Sequence, residues 1–460
     1  MTLQQKLAQN RLMLDLRAGK LTRRAFFKRT FEIGLTGSAA TVLFESCDSS
    51  APSSKTSNTP TGLFTLRWEN EGDTNGSLAY LADKFQHMNS SAIKVAQFPG
   101  PSGTDTNGSN SAMYDDFFNK LRNGSESPDV LSLDVVWVSS FANRNWIVPL
   151  DDRWLKGERD KYLPVPLEAV NFNHRIWAAP LHTDVGILFY RTDMPDIIPG
   201  PPTTWEELKA MANAAMASKK ARWGYVWQGD QYEGLVCNFI EVLSSYAGAI
   251  LDAHNNIIVN STSAQQALTE MTSWIGTISP PEIVTYEEGD AASKWLNGEA
   301  AFMRNWPNRI VQSNDARQSR IAGNFDIAPL PSGAKSCLGG WQLAINKFSK
   351  NQDAAWEFIK WMLQYDAQQY LAVQEDFPVT LQSIYKDPYV TQNNIFLPKL
   401  QPILANAQFR PVSPRYQDIA KAIELRVNQA LRAPGEKTQY SPAKALQDLK
   451  KDLEQIVQPG

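Results

Sequence analysis

Ala179-Pro180-Leu181-His182-Thr183-Asp184, followed shortly by Leu188-Phe189-Tyr190-Arg191-Thr192-Asp193, is the stretch on which the fold turns. Residues 184–191 read as a strand that opens a second block of alternating strands and helices. Pro201-Pro202-Thr203-Thr204 introduces the next helix, with Thr204 as N-cap and Glu207 at the reciprocal position of a capping box. Residues 251–259 read as a small hairpin around Asn255-Asn256, and 300–304 as another short strand. Upstream, residues 63–68, 93–98 and 130–137 are strand-like. Between the first two, Leu78, Leu81, Ala82, Phe85 and Met88 recur at helical spacing, which predicts a βαβ unit and a sheet with parallel pairs. Downstream, strands over 325–330 and 338–346 flank Pro331-Ser332-Gly333, and a helix covers 353–363. Ile419, Ile423, Val427 and Leu431 recur every four residues; Ser441 with Pro442 caps a last helix lined by Leu446, Leu449 and Leu453. The chain reads as α/β, without an internal repeat.

Composition narrows the function. Of 460 residues, 43% are hydrophobic and 20% charged, a globular balance whose length favours two or three cores over one. The 14 Trp and 14 Tyr carry polar edges that need partners; their half-polar faces suit sugar C–H surfaces as well as large cores. Residues 1–46 hold eight Lys/Arg and three acids, so the remainder sets 37 basic residues against 45 acidic ones, a net charge of −8. An acidic body without a basic patch argues against nucleic acid as a partner. No apolar run is long enough to read as a membrane span. The four histidines, at 87, 174, 182 and 254, lack metal-ligand spacing, and no metal or cofactor is expected.

The first residues read as an address. Thr22-Arg23-Arg24-Ala25-Phe26-Phe27-Lys28 resembles a twin-arginine export signal, so 1–46 is expected to direct export. Cys47, ahead of the Ser/Thr/Pro-rich tether 47–61, resembles a bacterial lipoprotein site, although Phe44-Glu45-Ser46 places a charge where that pattern has small residues. Cys237 and Cys337 remain; in an exported chain they can pair or stay as thiols.

In order along the chain, the segments resemble a known family. Pro149-Leu150-Asp151-Asp152, then the 179–193 stretch, is similar to the first crossover of type 1 extracellular solute-binding proteins, which serve ABC sugar importers and include maltose- and trehalose-binding proteins. Thr203-Thr204-Trp205-Glu206-Glu207-Leu208, Asn297-Gly298-Glu299-Ala300-Ala301-Phe302-Met303 and Ile327-Ala328-Pro329-Leu330-Pro331 match at the same relative places. Gly103-Thr104-Asp105-Thr106, Leu133-Asp134-Val135-Val136-Trp137, Arg304-Asn305-Trp306-Pro307, Gly339-Gly340-Trp341 and Arg410-Pro411-Val412-Ser413-Pro414-Arg415-Tyr416 look closest to the trehalose/maltose branch. The resemblance implies a two-lobed periplasmic-binding-protein-like fold of type II, with ligand in the interlobe cleft. One lobe is expected at 62–182 plus 324–376 and the other at 183–323 plus 377–460, with hinges at 180–184 and 325–331.

The same resemblance nominates ligand-binding residues. Asp134 and Asp184 match sugar-binding aspartates, since carboxylates accept hydroxyl pairs strongly; a turn cap and a hinge salt bridge are their plainer roles. His182 lies two residues from Asp184, on the same side of an extended chain, where the branch often has an aromatic residue. Trp306 and Trp341 are expected as sugar platforms, or as core. Arg410 is expected to donate to hydroxyls, with Arg415 its rival; either could instead hold a loop. Glu69, Thr106, Tyr232 and Glu233 complete the set. A bond between Cys237 and Cys337 would tie the lobes near the hinge.

The expected ligand is a disaccharide, handed by a monomer to ABC permease subunits. A polyol, a glucosylglycerol-like solute or an oligosaccharide is the alternative ligand. A secreted glycoside hydrolase is the alternative of another class, because paired carboxylates and tryptophans also describe those sites. No Gly-x-Ser-x-Gly elbow, phosphate-binding glycine loop or His-Glu-x-x-His motif occurs, and the chain is not expected to be an enzyme.

Overall fold

Apolar strands alternating with amphipathic helices sort the described residues into two larger sheets, each able to bury its faces under helices, beside a two-stranded ribbon. The computed structural model describes residues 64–70, 76–88, 93–99, 110–252, 256–432 and 440–457, so Cys47, the export segment, the tether and Thr106 lie outside the described residues. The strands are β1 (Phe64–Asn70), β2 (Ile93–Pro99), β3 (Val130–Asp134), β4 (Asn171–Phe172), β5 (Arg175–Ile176), β6 (Ala179–Val185), β7 (Ile187–Arg191), β8 (Trp223–Val226), β9 (Ala300–Asn305), β10 (Phe325–Ala328) and β11 (Leu338–Ile345). Among the helices are α1 (Ser77–Met88), α2 (Asn110–Arg122), α3 (Trp205–Ala217), α4 (Glu233–Ser245), α5 (Thr262–Trp274), α6 (Glu288–Leu296), α7 (Gln352–Met362), α8 (Tyr365–Gln374), α9 (Pro388–Asn393), α10 (Leu397–Ala405), α11 (Tyr416–Arg432) and α12 (Pro442–Val457).

The first sheet runs β2-β1-β3-β11-β6, with β1 parallel to both neighbours and β11 antiparallel to both of its own. The expected βαβ unit is there: α1 buries Leu78, Leu81, Ala82 and Phe85, one helical stripe. Phe358 of α7 packs its ring 5.1 Å from Trp68 and 5.2 Å from Phe85. The second sheet runs β10-β7-β9-β8. Thr204 caps α3 by accepting the Glu207 N–H at 3.1 Å, while the Glu207 carboxylate reaches back one residue further than expected, to the Thr203 N–H at 2.7 Å. Leu446, Leu449 and Leu453 of α12 are buried, as their spacing predicts, and α12 packs on α11 and α5.

Three differences from the sequence reading shape the site. Residues 130–137 are not one strand: β3 stops at Asp134, whose carboxylate accepts the Val136 N–H at 3.2 Å and caps a 3-10 turn over Val135–Trp137. A short acidic side chain that bonds its own backbone two residues on ends the ladder there. Residues 184–191 are not one strand either. β6 ends in the first sheet, β7 begins in the second, and Gly186 is the step between them. A Cβ on Gly186 would lie 1.9 Å from Glu241 Oε1 and 2.4 Å from Arg304 Nη2, so only glycine lets the backbone pass that ion pair.

The lobe limits move accordingly. The first crossing, expected at 180–184, is at Gly186, and β10, expected in the first lobe, pairs antiparallel with β7 in the second sheet. The return crossing therefore falls between Ala328 and Leu338. A further segment runs along β6: the Thr183 N–H donates to Pro378 O at 3.0 Å, and Val379 bridges to His182. Residues 382–393, expected in the second lobe, pack on α8, and α11 packs on α4 and α5. Between the passages, Gly340 adopts φ +110°, and a Cβ there would sit 2.5 Å from both His182 O and Thr183 Cα. Gly340→Ala is expected to cost roughly 2–4 kcal/mol through backbone strain and overpacking, read as a lowered urea midpoint.

Candidate functional site

The candidate site is where the ends of the two sheets face each other. Across the first sheet, Asp134, Trp341 and His182 are side by side on β3, β11 and β6, and Gly339 pairs with Asp184. Trp341 is half-buried, held edge-to-face on Trp137 at 5.8 Å and 85°. From the second sheet, β9 delivers Trp306. A Cβ on Gly339 would lie 3.3 Å from Trp306 Cζ3 and 3.2 Å from Asp184 Cβ, which places this indole directly over the first-sheet strand. The ring is fixed from behind by the Arg304 guanidinium, 4.1 Å from its centroid. Its Nε1–H donates to Glu288 Oε1 at 3.0 Å, and the other Glu288 oxygen accepts from Tyr232 at 2.7 Å.

Arg410 is the electrostatic centre. Its Nη2 donates to Asp134 Oδ1 at 2.9 Å and to Leu338 O at 3.3 Å; its Nη1 donates to Glu233 Oε1 at 2.7 Å. Tyr416 also donates to Glu233 Oε1. Asp134 ends a first-sheet strand and Glu233 starts α4 of the second lobe, so one buried guanidinium joins carboxylates of both lobes. Burial pushes Glu233 above the usual carboxylate range, while Arg410 draws it back. Burial and then Glu233 hold the Tyr416 phenol well above its ordinary value, which keeps it a donor. Beside this network is a pocket lined by Val136, Ser139, Phe172, Phe409, Arg410 and Val412.

The structure thus brings Asp134, Glu233, Arg410, Trp341, Asp184 and Trp306 to the junction of the sheets, with Tyr232 one bond behind Trp306 through Glu288. His182 is buried, stacks on Phe377 at 4.1 Å and 18°, and has Nδ1 3.9 Å from Asp184 Oδ2. Glu69, at the end of β1, is 4% exposed and bound to Lys120 of α2 at 2.6 Å; burial pushes its carboxyl up to about 7. Arg415 is the exposed member of the arginine pair; it contacts Asp418 and donates to Ile456 O at 2.8 Å, anchoring the end of α12. Glu288 and Tyr416 were missed as site residues. Tyr416 lies within the quoted Arg410 run, but Glu288 carries no signal, because its role depends on Tyr232 and Trp306 meeting in space. Among the described residues no group of His, Cys, Asp and Glu gathers as a metal site.

Known proteins share this build. Residues 81–369 match the family model described as bacterial extracellular solute-binding protein. A probable ABC transporter-binding protein of Deinococcus radiodurans is 31% identical over 389 residues, 82% of this chain and 89% of its own length. The maltose-bound MalE3 of T. maritima has a TM-score of 0.78 at 32% identity, covering 85% of this chain and 100% of that one. A solute-binding protein of Agrobacterium radiobacter in complex with ribitol, at 24% identity and a TM-score of 0.74, covers 86% of this chain and 100% of that one and shows the same fold. The expected two-lobed, type II periplasmic-binding-protein architecture is therefore the fold of this chain. With the family model spanning most of both lobes and a relative aligned over four-fifths of its length, the chain belongs to the bacterial extracellular solute-binding proteins.

Proposed function

We propose that this protein captures a disaccharide of the maltose or trehalose kind between its lobes and delivers it, as a monomer, to the permease of an ABC importer. The observation that carries the reading is the Arg410 network, which links Asp134 and Glu233 of opposite lobes beside Trp341 and Trp306 of opposite sheets. Carboxylates and a guanidinium accept from and donate to vicinal hydroxyls, and indole faces cover sugar C–H surfaces. A ligand that replaces the contacts between the lobes with its own would favour the closed form by its differential affinity alone. The maltose bound to MalE3 of T. maritima supports a sugar of this size. Asp134, Asp184, Arg410, Trp306, Trp341 and Glu233 are the proposed contacts, with Tyr232 in support. The Arg23-Arg24 run and Cys47 support export and a lipid anchor.

Calorimetric titration with trehalose, maltose, sucrose, glucosylglycerol and ribitol tests the reading. Saturable one-to-one binding of a disaccharide, with no sugar released, is the expected result. Heat with ribitol or glucosylglycerol alone would move the assignment to polyols, and liberated glucose would make the protein a hydrolase.

A further inference from the structure

Helix α4 carries Glu233, Cys237 and Glu241 four residues apart, on one face. The crossing backbone is fastened along that face at two points. The Cys337 N–H donates to Glu241 Oε1 at 3.0 Å. The carbonyl of the next residue, Leu338, accepts from Arg410 at 3.3 Å, and Arg410 clasps Glu233. Cys237 sits between these fastenings, on the helix face that the Cys337 backbone crosses. Both side chains are buried, 1% and 0% exposed, and both carry free thiols in this structure.

We propose that Cys237 and Cys337 are an intrachain disulfide site that, in an oxidising compartment, staples the base of β11 to α4 beneath Arg410. Disulfides persist in extracytoplasmic proteins, which is where this family works. The oxidant is a disulfide carrier, a protein or a small molecule. The thiolate of one cysteine attacks a sulfur of the carrier's disulfide, forming a mixed disulfide and releasing the carrier's first thiolate. The thiolate of the second cysteine then displaces the remaining carrier sulfur, and the carrier leaves reduced, its two thiols holding the two protons. Both thiols are buried in the folded chain, so the exchange needs an opening of the chain that uncovers the pair.

The staple lies on the second-lobe side of the pivot. Ser332 N–H donates to Thr203 O at 2.7 Å and Lys335 N–H to Ser244 Oγ at 2.8 Å, so the chain up to Cys337 is already held by that lobe. From Leu338 onward it enters the first sheet. Oxidation therefore stabilises the root of the hinge and leaves closure to the residues beyond it.

The test refolds the full chain in glutathione disulfide, or in excess dithiothreitol, then alkylates it under denaturing conditions and maps the peptides. The expected result is one cross-linked species joining Cys237 and Cys337, lighter by two hydrogen atoms than the two thiol peptides together. The oxidised chain should unfold at a midpoint higher by about 5 °C. That redox dependence should vanish in Cys237→Ser and in Cys337→Ser, and maltose titration should agree within about twofold between the two redox states. Alkylation of both residues after oxidative refolding, or pairing of either with Cys47, would overturn the site. A bonded chain that cannot bind a sugar its reduced form binds would overturn the placement of the pivot.

Discussion

Glu241→Gln is expected to lower the stability of the folded chain by about 3–5 kcal/mol, the largest effect on folding that any single isosteric change should have here. Arg304 is fully buried and Glu241 is 1% exposed; their two bonds are 2.8 and 2.6 Å. Gln228 accepts from Arg304 at 3.2 Å, and the Cys337 N–H relies on a Glu241 oxygen. The neighbouring carboxylate keeps the guanidinium charged despite its burial, well above its ordinary value. Gln preserves shape and one acceptor, so what is lost is the countercharge, and the guanidinium cannot shed its proton to escape. The pairing of Glu241→Leu with Arg304→Met should recover much of the loss, because apolar groups of similar volume remove the desolvation penalty along with the attraction. Urea unfolding of the three proteins measures this. A single-variant loss below about 1 kcal/mol would mean that water reaches the pair. The double variant should still weaken sugar binding, since Arg304 also supports the Trp306 ring.

Arg410→Met is expected to weaken affinity for the bound solute at least 100-fold, about 2.7 kcal/mol or more. The guanidinium is the shared partner of Asp134 and Glu233, so its removal takes away a donor and leaves two buried carboxylates facing each other. The loss should carry a pH signature. Glu233 already lies above the usual carboxylate range through burial, and Arg410 is the first influence that opposes the rise. Without Arg410 its folded-state pKa climbs further above the unfolded value. A raised carboxyl binds its proton more tightly when folded, so its contribution is present at low pH and is lost as pH rises through the folded pKa. Arg410→Met should therefore be closest to wild-type stability near pH 5 and furthest from it near pH 8. Arg410→Lys keeps a charge but loses the fork that reaches both lobes, and should restore stability more than affinity. Titration calorimetry and urea unfolding at both pH values separate the two effects. Unchanged affinity in a folded Arg410→Met protein would remove Arg410 from the proposed site.

Local patterns carried most of the element assignments. The Leu446, Leu449 and Leu453 stripe, the Thr204 cap and the α1 stripe depend on neighbours three or four residues away, which a linear reading contains. The order of short motifs over the exported body was enough for the family and the two-lobed fold. The sequence also held Asp134, Glu233, Arg410, Trp306 and Trp341 as candidates, without showing which of them touch. The structure decided that Arg410 rather than Arg415 is the buried one, because Asp134 and Glu233 converge from 276 and 177 residues away. It decided that the strand over 184–191 breaks at Gly186, because the obstacle is an ion pair between Glu241 and Arg304, remote in sequence. It also decided that Glu288 holds Trp306 and Tyr232. Helix stripes and caps are set by interactions within a turn of the chain. Charge pairs and ring contacts across the lobes are set by which distant segments share a buried, low-dielectric volume, and only the folded packing supplies that.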